Sequence, residues 1–474
     1  MKKTFTVTST IHTHEQGESY STLWGYFYPE FITAFLLYTA LTLIDSHFIA
    51  ALGNSSAYAT LGVTDTLVHF ITKIADGFSV GMVVLCGQHN GIEAYHKTGK
   101  TVTDAFWITM ILGALIAISL YLGAFAIYAF YGVPQEMVEL GVPFLRLRAV
   151  GVFFTFIYFS LLGFLRGIKN TKVPMLLFVI GAGVFLFFDY VLIFGTWGFP
   201  RMGFQGSALA YVIQYSVMLV GALWYVCRSV ENRKYALQFF SPIRWATLKS
   251  LLCLSWPVMI DKASFALCYI WLAKMVACMA KGSPALVSCS VLPTYSFMKL
   301  ALQVSILPGI AFAQVITFLV SNDYKAQRWQ RIKHNITRVL VISTVLVSCL
   351  LLSLLMWPHF FLAFFDKGNS FTDFAAAAVP FMAVLVFFDL IQIILSAALR
   401  GAAQMKTVMV VRMLVTGLYF IPTSYLISLL PIDNLLIKFI LIYGSLYVGN
   451  AIMSIIYLRR FKSEEWKNQS LKGV

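Results

Sequence analysis

Residues 376–401 read AAAVPFMAVLVFFDLIQIILSAALRG, an apolar run broken by a single carboxylate, Asp389, and closed by Arg400. A helix needs ~20 largely apolar residues to cross a bilayer, and a run this long cannot be the ~10-residue alternating strand of an outer-membrane barrel. Asp389 stands ten residues before Leu399. At the rise of a helix this is roughly 15 Å of depth, about the bilayer midplane. A carboxylate there is costly, so it marks a cavity, a partner or a transport path. Gln392, three residues on, shares its helix face.

The rest of the chain repeats this pattern. Of 474 residues, 59% are apolar, 16% aromatic and only 12% charged, against ~25% charged in soluble domains. The chain therefore reads as an all-α, polytopic membrane protein. Twelve apolar segments are predicted at 24–48, 59–87, 103–131, 140–165, 173–195, 204–227, 251–280, 285–320, 336–364, 376–399, 407–430 and 435–458. The formal charge of +15 would suggest nucleic acid in a soluble protein; here it is read as loops facing anionic lipid, with no nucleic-acid partner.

Lys and Arg also set the expected orientation. Twenty-five of the 35 fall on one side, in the N-terminus with Lys2 and Lys3, in alternate connections that take in Arg166, Arg400 and Arg412, and in the tail with Lys472. Six (Arg146, Arg148, Arg201, Lys281, Lys367, Lys438) fall on the other, and Lys73, Lys262, Lys274 and Lys299 lie inside segments. Both termini are expected to be cytoplasmic. The polar start carries no signal-peptide pattern. Seven Cys without a CxxC pair read as small buried hydrophobes, with no zinc or disulfide framework expected.

An internal repeat organises the chain. Leu165-Arg166-Gly167 with Asn170-Thr171-Lys172 recurs 234 residues later as Leu399-Arg400-Gly401 with Gln404-Met405-Lys406. Six spans per half is an even number, so both halves enter the membrane in the same direction, as in transporters whose two bundles rock. The expected division is an N-terminal segment 1–23, a first lobe 24–227, a linker 228–250, a second lobe 251–458 and a tail 459–474.

Inside the segments lie Asp45, Asp65, Lys73, Asp76, Asp189, Asp261, Lys262, Lys274, Lys299 and Asp389. Lys73 and Asp76 are three apart, close enough to neutralise each other. Asp65 lies near the outer end of its helix, where water can solvate it. Asp261 and Lys262 point about 100° apart on a helix and cannot pair well with each other. Asp45 and Asp189 both fall in the outer half of the first bundle, where they can share a cation or a proton.

At these residues the chain resembles the multidrug and toxic compound extrusion (MATE) transporters of the MOP flippase superfamily. The resemblance rests on Phe388-Asp389-Leu390-Ile391-Gln392 leading into Ala398-Leu399-Arg400-Gly401, and on Phe164-Leu165-Arg166-Gly167 through Thr171-Lys172-Val173-Pro174. Ile44-Asp45 with Leu52-Gly53, Gly81 to Gln88 with Gly91, and Asp189-Tyr190 with Gly195 extend it over most of 24–430. It implies twelve helices in two lobes forming a V, and efflux of organic, often cationic, compounds in exchange for H+ or Na+. It also implies that Asp389, Asp45 and Asp189 serve ion coupling, with Asp389 and Asp45 as candidate Na+ ligands. Phe185 and Phe265 stand where family branches carry Asn and Glu, and Asp261 and Lys262 sit near the second of these.

The expected function is a secondary active antiporter working by alternating access, with small-molecule substrate and bilayer as partners, no cofactor beyond the coupling ion, and a monomeric state. Four membrane lysines favour the alternative of a flippase or exporter of an anionic, zwitterionic or lipid-linked solute. A membrane-embedded transferase would need clustered acids near His89 and His96, and no such constellation is present in the sequence. No P-loop is present.

Overall fold

The structure, a computed structural model, describes residues 17–239, 242, 244–281, 285–365, 371–432 and 434–467. Lys2, Lys3, Lys367 and Lys472 lie outside them. Helix α1 (Tyr20–Phe35) runs through a π-helical turn, Leu36–Ala40, into α2 (Leu41–Ala50), making one continuous helical run. Then follow α3 (Ser55–Gly91), α4 (Tyr95–Tyr131), α5 (Gln135–Gly167), α6 (Lys172–Phe194) and α7 (Phe204–Arg228). The second half has α8 (Trp245–Lys281), α9 (Ala285–Lys325), α10 (Trp329–Met356), the short α11 (Pro358–Phe365) and α12 (Thr372–Gly401). Helix α13 (Met405–Leu414) continues through a second π-helical turn, Val415–Phe420, into α14 (Ile421–Leu429), and α15 (Leu435–Lys462) closes the series.

Eleven of these helical runs are long and apolar enough to cross a membrane, counted over the described residues. The broken first run, 20–50, supplies the twelfth. No strand occurs among the described residues. The predicted ninth segment is divided at Trp357, between α10 and α11. Several helices extend beyond their apolar stretches because polar flanks continue the hydrogen-bonded ladder into the interface.

Local chemistry sets the helix ends. The Asn54 side chain accepts from Ala57 N at 3.0 Å and starts α3; Asn434 accepts from Leu436 N and Ile437 N at the start of α15. Gly195 (φ 70°) ends α6 in the left-handed region. Within the spans, hydroxyls hide from hydrocarbon by bonding the carbonyl four residues back, as Thr33 does to Pro29, Thr155 to Gly151 and Thr317 to Ala313. The outward face of α4 is a stripe of exposed Ile111, Leu115, Ile118, Leu122 and Phe125 at alternating spacings of four and three. In water such a stripe would be a liability; in lipid it is the solvated face.

The described residues divide into two compact units. One holds 28–259 and 321–327; the other holds 17–27, 260–320 and 328–467. Each closes its fourth span in the same way. Lys169 (φ 63°) in the first unit and Ala403 (φ 60°) in the second are both left-handed, and each is followed by an amide that bonds five residues back, Asn170 to Leu165 and Gln404 to Leu399, both at 2.9 Å. Glu93 (φ 60°) and Gln327 (φ 55°) are likewise left-handed turns 234 positions apart. A Cβ added to Gly167 would lie 2.9 Å from Cβ of Cys86 and 3.1 Å from the Val83 carbonyl oxygen. On Gly401 it would lie 2.8 Å from Cβ of Val320 and 2.7 Å from the Thr317 carbonyl oxygen. Both neighbours are shifted by the same 234, so the repeat read from LRG extends to the helix that LRG packs against.

Candidate functional site

In the first unit, α2, α3, α5, α6 and α7 bring Asp45, Asp65, Arg148, Asp189 and Ser207 together. Arg148 Nη2 lies 3.3 Å from Asp45 Oδ2 and 3.4 Å from Asp65 Oδ1. The guanidinium stacks over the Tyr211 ring at 4.5 Å and the Phe144 ring at 5.2 Å. Ser207 Oγ donates to Asp45 Oδ1 at 2.7 Å. Asp189 is fully buried, and neither of its carboxylate oxygens has a hydrogen bond, although it lies near enough to Asp45 and Arg148 to feel their charges. Three carboxylates thus face one guanidinium.

Asp45, Asp65 and Arg148 border a cavity of about 80 Å³, lined further by Thr42, His69, Thr72 and Gln214. At ~15 Å³ for each water, that is room for about five water molecules. Drug-sized sites run to ~300 Å³ or more, so this chamber suits water, protons or a small ion. Lys73 and Asp76, expected to neutralise each other, line a smaller neighbouring cavity with His69.

In the second unit, Asp389 on α12 is 6% exposed and accepts from Asn450 Nδ2 on α15 at 3.0 Å. Among the described residues it has no ion-pair partner. Tyr269, Tyr443 and Tyr447 stand near enough to interact with its charge. Gln392 is fully buried, and both polar atoms of its amide lack a hydrogen bond. Asp261 on α8 is tied differently: its carboxylate meets Arg400 Nη2 at 2.6 Å and also pairs with Arg412 Nε. Lys262 beside it is half-buried. Lys274 lies over the Trp271 ring at 5.4 Å and Lys299 over the Tyr269 ring at 5.7 Å.

The structure corrects several sequence expectations. Arg148, expected in an outer connection, sits inside α5 at 4% exposure. Its neighbour Arg146, two residues and about 200° away on the helix, is the one that faces out. Arg412, expected in a cytoplasmic connection, is inside α13 at 4% exposure. Arg166 also turns inward: its Nε and Nη2 donate to the two oxygens of Glu30 at 2.9 and 2.6 Å. Glu30, an acid within the first predicted segment that the sequence reading does not single out, is 2% exposed. Asp65, expected in water, is half-buried against Arg148. Asp45 and Asp389, the candidate Na+ ligands, belong to different units. No group of three or more His, Cys, Asp or Glu side chains is placed to hold a metal among the described residues.

Among the described residues, eleven long apolar helices and the broken first run, with buried, incompletely paired carboxylates, define a polytopic membrane transporter. The MatE family model matches residues 31–191 and 263–426, and the chain belongs to that family. It is 20% identical over 396 residues to the multidrug resistance protein MdtK of Proteus mirabilis, covering 82% of this chain and 84% of that protein. It is 26% identical over 178 residues to the probable multidrug resistance protein YoeA of Bacillus subtilis, a match spanning 38% of each. Among solved structures, a MATE transporter in complex with MaL6 superposes with a TM-score of 0.84 at 17% identity, over 95% of this chain and 97% of the other. A MOP superfamily transporter from Pyrococcus furiosus, described as having a reversed binding-pocket polarity that suggests a different function, superposes with a TM-score of 0.83 at 17% identity and the same coverage. The solved structures give the chain the fold of the MATE transporters, and the family model gives it its family.

Proposed function

We propose that the chain is a secondary active antiporter that exports organic, mainly cationic, compounds in exchange for H+ or Na+ by alternating access. It acts as a monomer in the plasma (inner) membrane with both termini cytoplasmic, and catalyses no covalent chemistry. The observation that supports this reading is Asp389, a buried membrane carboxylate held by one amide and, among the described residues, in no ion pair, with the Arg412 guanidinium near enough to act on its charge. A group so placed is available to a coupling ion or a cationic substrate in turn, and that competition gives exchange. Asp45 and Asp189 serve coupling in the first unit, while Gln392, Asp261 and Lys262 shape the surroundings in the second.

Reconstitution in proteoliposomes tests it. Asp389→Asn is expected to remain inserted and to lose gradient-driven efflux of cationic dyes. Wild-type transport by that variant would overturn the assignment. A second reading, export of an anionic or zwitterionic solute, is favoured by Lys262, Lys274 and Lys299 within the spans of the second unit and by the reversed polarity reported for the Pyrococcus neighbour. Preference for anionic over cationic dyes would select it.

A further inference from the structure

Among the described residues, Arg148 carries the one permanent positive charge on the wall of the first unit's cavity, and a single nitrogen of it reaches carboxylates from two different helices. We infer that Arg148 is a tethered counter-cation standing where a coupling metal cation would bind between Asp45 and Asp65, so that this site is worked by protons and rejects sodium. The inference rests on the antiport reading and narrows its coupling ion.

Four observations carry it. The two contacts of Nη2, 3.3 Å to Asp45 and 3.4 Å to Asp65, are nearly equal, so the guanidinium lies in the gap between the acids instead of belonging to one. Its own position is fixed from behind by the Tyr211 and Phe144 rings, and an arginine keeps its charge at any physiological pH. One oxygen of Asp45 accepts from the Ser207 hydroxyl and the other faces Arg148, so neither is left without a partner for a hard cation that needs several ligands. Asp189, buried and without a hydrogen bond, stands beside the group as a further acid that can take one proton from hydronium, whose O–H bond breaks to release water as the carboxyl O–H forms, with no other ligand needed.

The groups facing Arg148 are Asp45 on α2, Asp65 and His69 on α3, Asp189 on α6, and Tyr211, Tyr215 and Gln214 on α7. A sodium ion among them would sit against a like charge. At ~4 Å and an effective dielectric of ~20, that one repulsion weakens sodium binding by roughly a thousandfold relative to the same acids without the arginine charge. A proton escapes this penalty because it removes a carboxylate charge instead of adding a separate ion.

The test uses the full chain, with sodium binding read by radioactive sodium uptake on purified protein and transport read in proteoliposomes under separate pH and sodium gradients. Wild type is expected to bind no sodium at this site and to be driven by the pH gradient. Arg148→Gln, with the gap vacated, is expected to gain sodium binding that Asp45→Asn removes again, while Arg148→Lys keeps the sodium-free behaviour and the wild-type pH profile. Sodium binding by wild type that Asp45→Asn abolishes, or a folded Arg148→Gln that gains none, overturns the inference. Should Arg148→Gln fail to fold, the wild-type and Asp45→Asn binding measurements alone decide. Because binding is read without transport, failure of the antiport reading appears separately, as absence of efflux under either gradient.

Discussion

Arg166 and Arg400 stand 234 positions apart, and each ends the fourth span of its own half by pairing with a carboxylate from that half's first span. In the first unit the carboxylate is Glu30, 136 residues earlier; in the second it is Asp261, 139 residues earlier. Both carboxylates are 2% exposed. The duplication therefore preserved a charge pair as well as a turn, although the acid changed from Glu to Asp and Arg412 joined the second pair.

Breaking one partner of a buried ion pair leaves the other uncompensated, which costs about 3–5 kcal/mol. Glu30→Ala and Asp261→Ala are each expected to lower thermal stability in detergent by that order. The double replacement Glu30→Met with Arg166→Met is expected to cost less than either single change, because no charge remains stranded. Thermal unfolding of the four proteins measures it.

Adding a methyl group at the close approaches should be felt in both halves. Gly167→Ala and Gly401→Ala force a Cβ against carbonyl oxygens that cannot retreat far, and overpacking of this kind costs about 1–3 kcal/mol. Gly183→Ala on α6 meets nothing within 4 Å and is expected to be neutral or, by helix propensity, stabilising by up to ~1 kcal/mol. Unfolding midpoints for the three variants check the contrast.

Ala403 holds a left-handed conformation that an L side chain pays for at about 1–2 kcal/mol. Ala403→Gly is expected to recover part of this, less what glycine adds to unfolded-chain entropy. A raised midpoint in the same unfolding assay is the expected result; a lowered one would show that the Ala403 methyl packs usefully.

Beyond the last span, Glu464 meets Lys333 and Lys467, each at 2.7 Å, and hydrogen bonds from those two ammonium groups hold its carboxyl down to about 2. A depressed folded-state value contributes docking that is fully present above the unfolded carboxyl value of ~4.3 and is lost as pH falls through about 2. Glu464 and Lys333 are exposed, so the effect is local. Glu464→Gln at neutral pH is expected to speed hydrogen exchange of the amides around Trp466, whose ring packs on Trp329, without changing the global midpoint.

Hydropathy alone made the twelve spans legible, because in lipid every span must carry its own apolar surface. Acids deep inside apolar runs, Asp45, Asp189 and Asp389, were legible for the same reason. The arginines were not. A guanidinium on a long stem near a helix end reaches either water or a buried acid, and composition does not say which. Arg148 could have been separated from Arg146 by helical angle, since the two cannot both face out. The repeat points close to Glu30, which lies three residues, about one helical turn, after Phe27, the counterpart of Asp261. Arg412 has no such signal: its repeat counterpart, 234 positions earlier, is Phe178.

Because each half contains both members of its ionic couple, the growing polypeptide never has to wait for the other half to quench them. Once the ribosome has delivered residue 166 to the insertion machinery, Glu30 has its cation; the same happens again on arrival of residue 400. Biogenesis can thus proceed in two rounds, each leaving the inserted portion electrically settled before the next begins.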